Sequence, residues 1–123
     1  ILMITAKLNA YRQSPRKVRL VCDLVKGKSL KEALQLLSVT TKSAAKPLQK
    51  LIQSAARNAK DLNIDEGVLY IKDFQVNAGA TLKRSMPRAR GSAFQILKRT
   101  SHVSLVLGER TGESPKLKVK SAK

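Results

Sequence analysis

Few residues in this chain have the types and spacing that reaction chemistry needs. It holds one histidine, His102, and one cysteine, Cys22, and its nearest approach to a carboxylate pair is Asp65 beside Glu66. A general base is normally oriented by a second group, whereas His102 stands between Ser101 and Val103 in a strand-like run. Its expected work is packing, or a phosphate or sugar contact. Cys22 falls on the apolar face of a helical stretch, where a thiol behaves as a small hydrophobe and not as a nucleophile. Asp65 and Glu66 lie in turn-forming sequence and are read as solvated. No glycine-rich phosphate loop and no metal-ligand spacing is present, so no catalysis, metal or cofactor is expected.

What the chain has in quantity is cation. Lys and Arg number 25 against 8 Asp and Glu, for a formal charge of +17. Placement matters more than the total, because clustered charge aims the field. No acid occurs between Asp73 and Glu109, a span that holds Lys83, Arg84, Arg88, Arg90, Lys98 and Arg99. Residues 1–22 are equally free of acid and hold Lys7, Arg12, Arg16, Lys17 and Arg19. Two such runs bracketing a balanced middle point to nucleic acid ahead of an anionic membrane or an acidic protein. The four aromatics, Tyr11, Tyr70, Phe74 and Phe94, do not form the aromatic sheet motif on which single-stranded RNA modules stack bases. No zinc-finger spacing or leucine-zipper heptad appears. Phosphate and shape recognition of folded RNA is what remains.

These cations must be held by something, and 123 residues are enough for one domain with its own core. Met3 to Leu8 reads as an edge strand with Ile4 and Ala6 on one face. Ser14-Pro15 is a helix start, the hydroxyl capping free amides and the proline standing where no N–H is needed. Val18, Val21, Cys22 and Val25 then recur at helical spacing as a core face. Gly27 between two lysines ends that helix, and Ser29-Leu30-Lys31-Glu32 is a capping box that opens a second one over Leu30, Ala33, Leu34 and Leu37. A third helix spans about Thr41 to Leu62, with Pro47 requiring that it either bend or begin there. Its apolar stripe is Leu48, Leu51, Ile52, Ala55, Ala59 and Leu62, and Ala55, Ala56 and Ala59 are small enough to admit the sheet.

From Val68 the period becomes two. Simple alternation puts Val68, Tyr70, Phe74, Val76, Ala78, Ala80 and Leu82 on one side, with Lys72 as an interruption and Leu69 and Ile71 on the polar side. A second run, Ala93 to Leu107, returns beside it. With a turn centred on Pro87 and Arg88, Leu82 faces Ala93 and Val76 faces Arg99. The bases of the two runs are then core and the outer arms are not. About eleven residues per arm at roughly 3.3 Å each reach roughly 35 Å. The stretch from Glu109 onward is lysine-rich and poor in bulky apolar groups, and is expected to be disordered alone. Nothing resembles a bilayer-spanning run of roughly 20 apolar residues or a secretion signal, and a lone cysteine suits a reducing compartment.

The stretches SPRKVRLV (14–21), SAARNA (54–59), LKRSMPRARG (82–91) and LKRTSHV (97–103) closely resemble those of the bacterial large-subunit ribosomal protein L22 family, over about residues 4–108. The resemblance implies an α+β fold: three helices packed on a small three-stranded antiparallel sheet, with a long protruding β-hairpin. It implies one domain over residues 1–110, a hairpin over about 77–98, and a basic flexible tail at 111–123, where many bacterial members stop soon after the last strand. It further implies a structural constituent of the large subunit that binds large-subunit ribosomal RNA, supports assembly and lines the nascent-chain exit tunnel with its hairpin tip. Under it, the RNA-binding residues are Lys7, Arg12, Ser14, Arg16, Lys17, Arg19, Lys83, Arg84, Arg88, Arg90, Lys98, Arg99 and His102. The tip comprises Arg84, Ser85, Met86, Pro87, Arg88, Ala89 and Arg90. Pro87 stiffens the turn, and Gly91 relieves its backbone.

The implied partners are that RNA, neighbouring large-subunit proteins and the nascent polypeptide, with no membrane and no homo-oligomer. The implied place is the cytoplasmic ribosome, an organellar ribosome staying open. A basic DNA-compacting or general RNA-binding protein is the alternative. A membrane-active protein needs a basic amphipathic helix with a free apolar face, and the first helix commits that face to the core.

Overall fold

The computed structural model describes residues 4–109; the basic tail expected at 111–123 lies outside the described residues. Five strands and three α-helices follow in the order β1 (Ile4–Tyr11), α1 (Pro15–Val25), α2 (Leu30–Val39), α3 (Ala45–Asp61), β2 (Leu69–Ala78), β3 (Leu82–Pro87), β4 (Ala93–Lys98) and β5 (Ser101–Glu109). Three strands form an antiparallel sheet in the order β1-β5-β2, and β3 and β4 pair separately as an antiparallel hairpin. The helices pack on the sheet: α1 lies chiefly against β2, and α3 lies against β1 and α2. The expected architecture of three helices, a three-stranded sheet with β1 at an edge and a hairpin extension is the one observed.

Helical spacing identifies most of the core, Leu34 proving only partly buried. Val18, Val21, Cys22 and Val25 of α1 are all buried, as are Leu30, Ala33 and Leu37 of α2. Burial of Cys22 pushes its thiol pKa up to about 12, so the group stays neutral and unreactive at ordinary pH. At α2 the Ser29 hydroxyl accepts from the Glu32 N–H at 3.3 Å and donates to the Glu32 carboxylate at 3.1 Å. Ser14 differs from expectation, since its side chain makes no capping bond. Its carbonyl instead accepts from the Val18 N–H at 3.2 Å, and Pro15 alone marks the start. Pro47 proves to lie in the first turn of α3, which begins at Ala45, where no intrahelical N–H is missed. Leu62, placed in the apolar stripe by spacing, is past the helix end and exposed.

Simple alternation along β2 fails at one residue. Leu69 and Ile71 are buried, and so are Phe74 and Val76. A passage from odd to even positions needs one extra residue, and the register against β5 slips between Ile71 and Asp73. This β-bulge leaves Lys72 exposed and resets the phase. The core face therefore begins with Leu69 and Ile71, whereas Val68 belongs to a preceding single turn of 3-10 helix and is exposed. The inner halves of the two runs meet as expected, with Ile71 opposite Leu107 and Val76 opposite Val103.

The hairpin's register also differs from expectation. Leu82 pairs with Lys98 and Pro87 with Ala93, not Leu82 with Ala93, and Val76 pairs with Val103, not Arg99. The turn is centred near Arg90 because two consecutive residues, Arg90 at φ 64° and Gly91 at φ 73°, enter the left-handed region and reverse the chain. The Arg88 N–H closes the loop on the Ser92 carbonyl at 2.7 Å. Proline has no N–H and a fixed φ, so it read as the turn itself; here it ends the strand that leads into the turn.

Candidate nucleic-acid interface

Both cationic runs lie outside the core. Lys7, Arg12, Arg16, Lys17 and Arg19 are exposed, and so is every residue from Lys83 to Gln95 together with Leu97, Lys98 and Arg99. Among the described residues the only salt bridge joins Lys26 to Asp73 at 3.6 Å, so neither run is neutralised by the protein's own carboxylates. Charge left unpaired on a protruding element costs little in water and is available to a polyanion.

The hairpin's root is built more firmly than its arm. The Gly79 N–H donates to the Thr100 carbonyl at 2.9 Å, and the Thr100 hydroxyl donates to the Ala80 carbonyl at 2.6 Å. Gly79 has to be small here: a Cβ would stand 2.5 Å from the Thr100 Oγ1 and 3.2 Å from the His102 ring. Thr100 and Ser101 are buried polar residues, and both are satisfied, the Ser101 hydroxyl donating to the Gln13 carbonyl at 2.6 Å. A rigid root under a hydrogen-bonded ladder fixes the direction in which the arm leaves the domain.

Two residues read as RNA contacts also hold the protein to itself. The Arg19 Nε and Nη2 both donate to the Val76 carbonyl, at 3.2 and 2.9 Å. This clamp ties α1 to β2 two residues before that strand ends. The His102 Nδ1 accepts from the Ala10 N–H at 3.0 Å. Ala10 has a positive φ of 56° where the β1 register against β5 slips, so the imidazole satisfies an amide that the bulge takes out of the ladder. An accepting Nδ1 places the ring proton on Nε2, which remains a donor. Arg16, Lys17 and Arg12 make no such internal bond and stay free at the head of α1. Ser14 is half-buried at that same helix start.

Strand pairing divides the hairpin into two faces, since directly opposed residues share a side and successive ones alternate. Leu82 and Lys98, Arg84 and Ile96, and Met86 and Phe94 lie on one face; Lys83 and Leu97, Ser85 and Gln95, and Pro87 and Ala93 lie on the other. Arg84 donates to the Lys83 carbonyl at 2.8 Å, and the Arg88 guanidinium carbon lies 5.1 Å from the centre of the Phe94 ring. Sequence reasoning singled out the cations but did not mark the ring of Phe94 beneath Arg88 or the Thr100 hydroxyl at the root, which carry no charge to betray them. Among the described residues no three His, Cys, Asp or Glu side chains gather as a metal site, and no helix is long and apolar enough to cross a membrane.

A small α+β body with its cations outside and a basic arm tied at its root defines a class: proteins whose surface suits a polyanion. The comparisons with known proteins make this specific. The family model for ribosomal protein L22p/L17e matches residues 6–108, and the chain belongs to that family, whose members are structural proteins of the ribosome and not enzymes. Curated relatives named large ribosomal subunit protein uL22 agree. One from Clostridium novyi is 52% identical over 100 residues, covering 80% of this chain and 90% of the relative. The Thermus thermophilus protein is 50% identical over 103 residues, covering 83% and 91%, and that of Myxococcus xanthus 46% over 108, covering 85% and 95%.

Proposed function

We propose that this protein is built into the large subunit of a bacterial-type cytoplasmic ribosome, binds the ribosomal RNA of that subunit and presents its hairpin tip to the nascent-chain tunnel. The observation that carries the reading is the pair of acid-free cationic runs, both exposed and one of them on a hairpin outside the core, in a chain of the L22p/L17e family. The head of α1 (Arg12, Arg16, Lys17) and Lys7 on β1 take phosphates at the body. Lys83, Arg84, Lys98 and Arg99 take them along the arm, and Arg84 through Arg90 form the tip. Arg19 and His102 contribute what their internal bonds leave over, three guanidinium N–H groups and Nε2. Ser14 flanks the helix start as a hydroxyl donor. The domain over 1–110 carries the arm as a separate hairpin between β2 and β5, and the basic residues of 111–123 add to the same charge.

Neighbouring proteins of the subunit have a surface to meet in the shallow groove where Leu24, Leu36 and Val39 are flanked by Lys28, Glu32 and Gln35. Catalysis plays no part: the work is to neutralise phosphate and to fill the wall of a channel. Each phosphate neutralised on RNA steepens the fall of affinity by roughly 0.7 to 0.9 log units per log unit of salt.

Sucrose-gradient fractionation of a lysate tests the first half of the reading, with the chain expected in the large-subunit fraction. Its absence there overturns the proposal. Competition at matched salt is expected to show preference for ribosomal RNA over duplex DNA; equal affinity would favour a DNA-compacting role. For the tunnel, a photo-crosslinker at Ala89 is expected to capture stalled nascent chains, and capture of RNA alone removes the tip from the tunnel wall.

A further inference from the structure

One face of the hairpin is chemically equipped for more than phosphate. Met86 and Phe94 are directly opposed on the outermost rung of that face, one rung inside Pro87–Ala93, and stay 42% and 55% exposed. Ile96 and Leu82 continue the same face inward, both half-buried. Arg88 reaches over the Phe94 ring at 5.1 Å, and Arg84 and Lys98 stand on the same face. The opposite face carries Ser85, Gln95, Pro87 and Ala93 on its outer rungs, small and uncharged, with Lys83 and Leu97 nearer the root and no aromatic ring. A hairpin that served only to carry charge would need no aromatic ring at its far end.

The charge around this patch selects its partner. With no carboxylate between Asp73 and Glu109, the face repels cations and attracts polyanions. An unpaired nucleobase meets both features at once, because it offers a π-face tethered to phosphate. Aromatic rings and guanidinium planes are the two surfaces on which such bases stack. We propose that Phe94 and Arg88 form a stacking site for an unpaired nucleobase, with Met86 packing at its edge and Arg84 holding a flanking phosphate. The inference rests on the ribosomal RNA reading above and adds the side of the arm that turns to the RNA.

The test uses the full chain and purified large-subunit ribosomal RNA. Phe94→Leu keeps apolar area but loses the π-face, and is expected to weaken Kd about 5- to 150-fold, the range for loss of one stacked base. Its salt dependence should match the parent's, because no phosphate contact is lost, whereas Arg84→Ala should lower the slope by roughly 0.7 to 0.9. Phe94→Tyr should bind like the parent. The chain has no tryptophan, so Phe94→Trp adds a single reporter. Its fluorescence should be quenched by saturating ribosomal RNA and unchanged by a fully paired RNA duplex, which frees no base. Parent-like affinity of Phe94→Leu, with an unquenched tryptophan, overturns the stacking site while leaving RNA binding intact; that is the result expected if the face docks on protein. A parent chain that binds the RNA without steep salt dependence removes the broader reading and this one with it.

Discussion

Removing the hairpin should separate the protein's fold from its grip. Consider replacing residues 82–98 by Asn-Gly, which joins Thr81 to Arg99 and keeps the Gly79–Thr100 and Thr100–Ala80 bonds of the root. Every residue removed is exposed or half-buried, and the deleted ladder pairs only with itself. An isolated two-stranded hairpin is at best marginally stable in water, so its loss should change the stability of the remainder by less than about 1 kcal/mol. For a domain of this size that is a melting shift within roughly 4–8 °C. The RNA side of the balance is different. Five cations leave, Lys83, Arg84, Arg88, Arg90 and Lys98. If each neutralises one phosphate, the slope of log affinity against log salt falls by about 3.5 to 4.5. Doubling the salt then weakens the deleted form roughly 10- to 20-fold less than the parent. Calorimetry and filter binding at several salt concentrations supply the two readouts. A deletion variant that no longer unfolds cooperatively would refute the claim that the arm lies outside the core, and an unchanged salt slope would refute its role in binding phosphate.

Two further perturbations probe the body. Gly79→Ala should cost about 1–3 kcal/mol, because its Cβ collides at 2.5 Å with a Thr100 hydroxyl already fixed on Ala80; urea unfolding reads the loss, and Thr100→Ala in the same chain should relieve part of it. Cys22 should make stability fall with rising pH. Its folded pKa of about 12 exceeds the ordinary value of 9.0, so above pH 9 the unfolded chain has released a proton that the folded one keeps. The contribution is complete below about 9 and is lost at up to about 1.4 kcal/mol per pH unit toward 12; comparison with Cys22→Ala isolates it, and parallel pH profiles would show that the thiol is not the cause.

The helices were readable because their signals are local and redundant. In α1 a proline start, four core residues at helical spacing and a closing glycine all agree, and the missing Ser14 cap changes nothing downstream. The bulge at Lys72 was not readable, since alternation carries no mark of an inserted residue; Leu69 and Ile71 broke the expected phase, and only pairing with β5 explains why. The turn was displaced because Pro87 signals a turn more strongly than Arg90, a residue type that rarely adopts positive φ. Charge marked two cationic segments but could not tell their members apart. Arg19 looks like Arg16 in sequence, yet one is bonded to a strand carbonyl and the other is free. His102 was read as packing or as an RNA contact, and its bond to the Ala10 amide depends on a bulge in a strand ninety-two residues away.

The order β1-β5-β2 also sets a clock. The strand made last is the one that joins the other two, for β1 and β2 share no ladder and each pairs only with β5. A ribosome adding about 5–20 residues per second takes roughly 5–20 s to travel from β1 to β5. Until β5 is made, Ile4, Ile71 and Phe74 have no central strand beside them, and both strands of the cationic arm are synthesised before Thr100, whose bonds close its root. The sheet therefore cannot close until the last nine residues of the described fold are made, because both of its ladders run through β5.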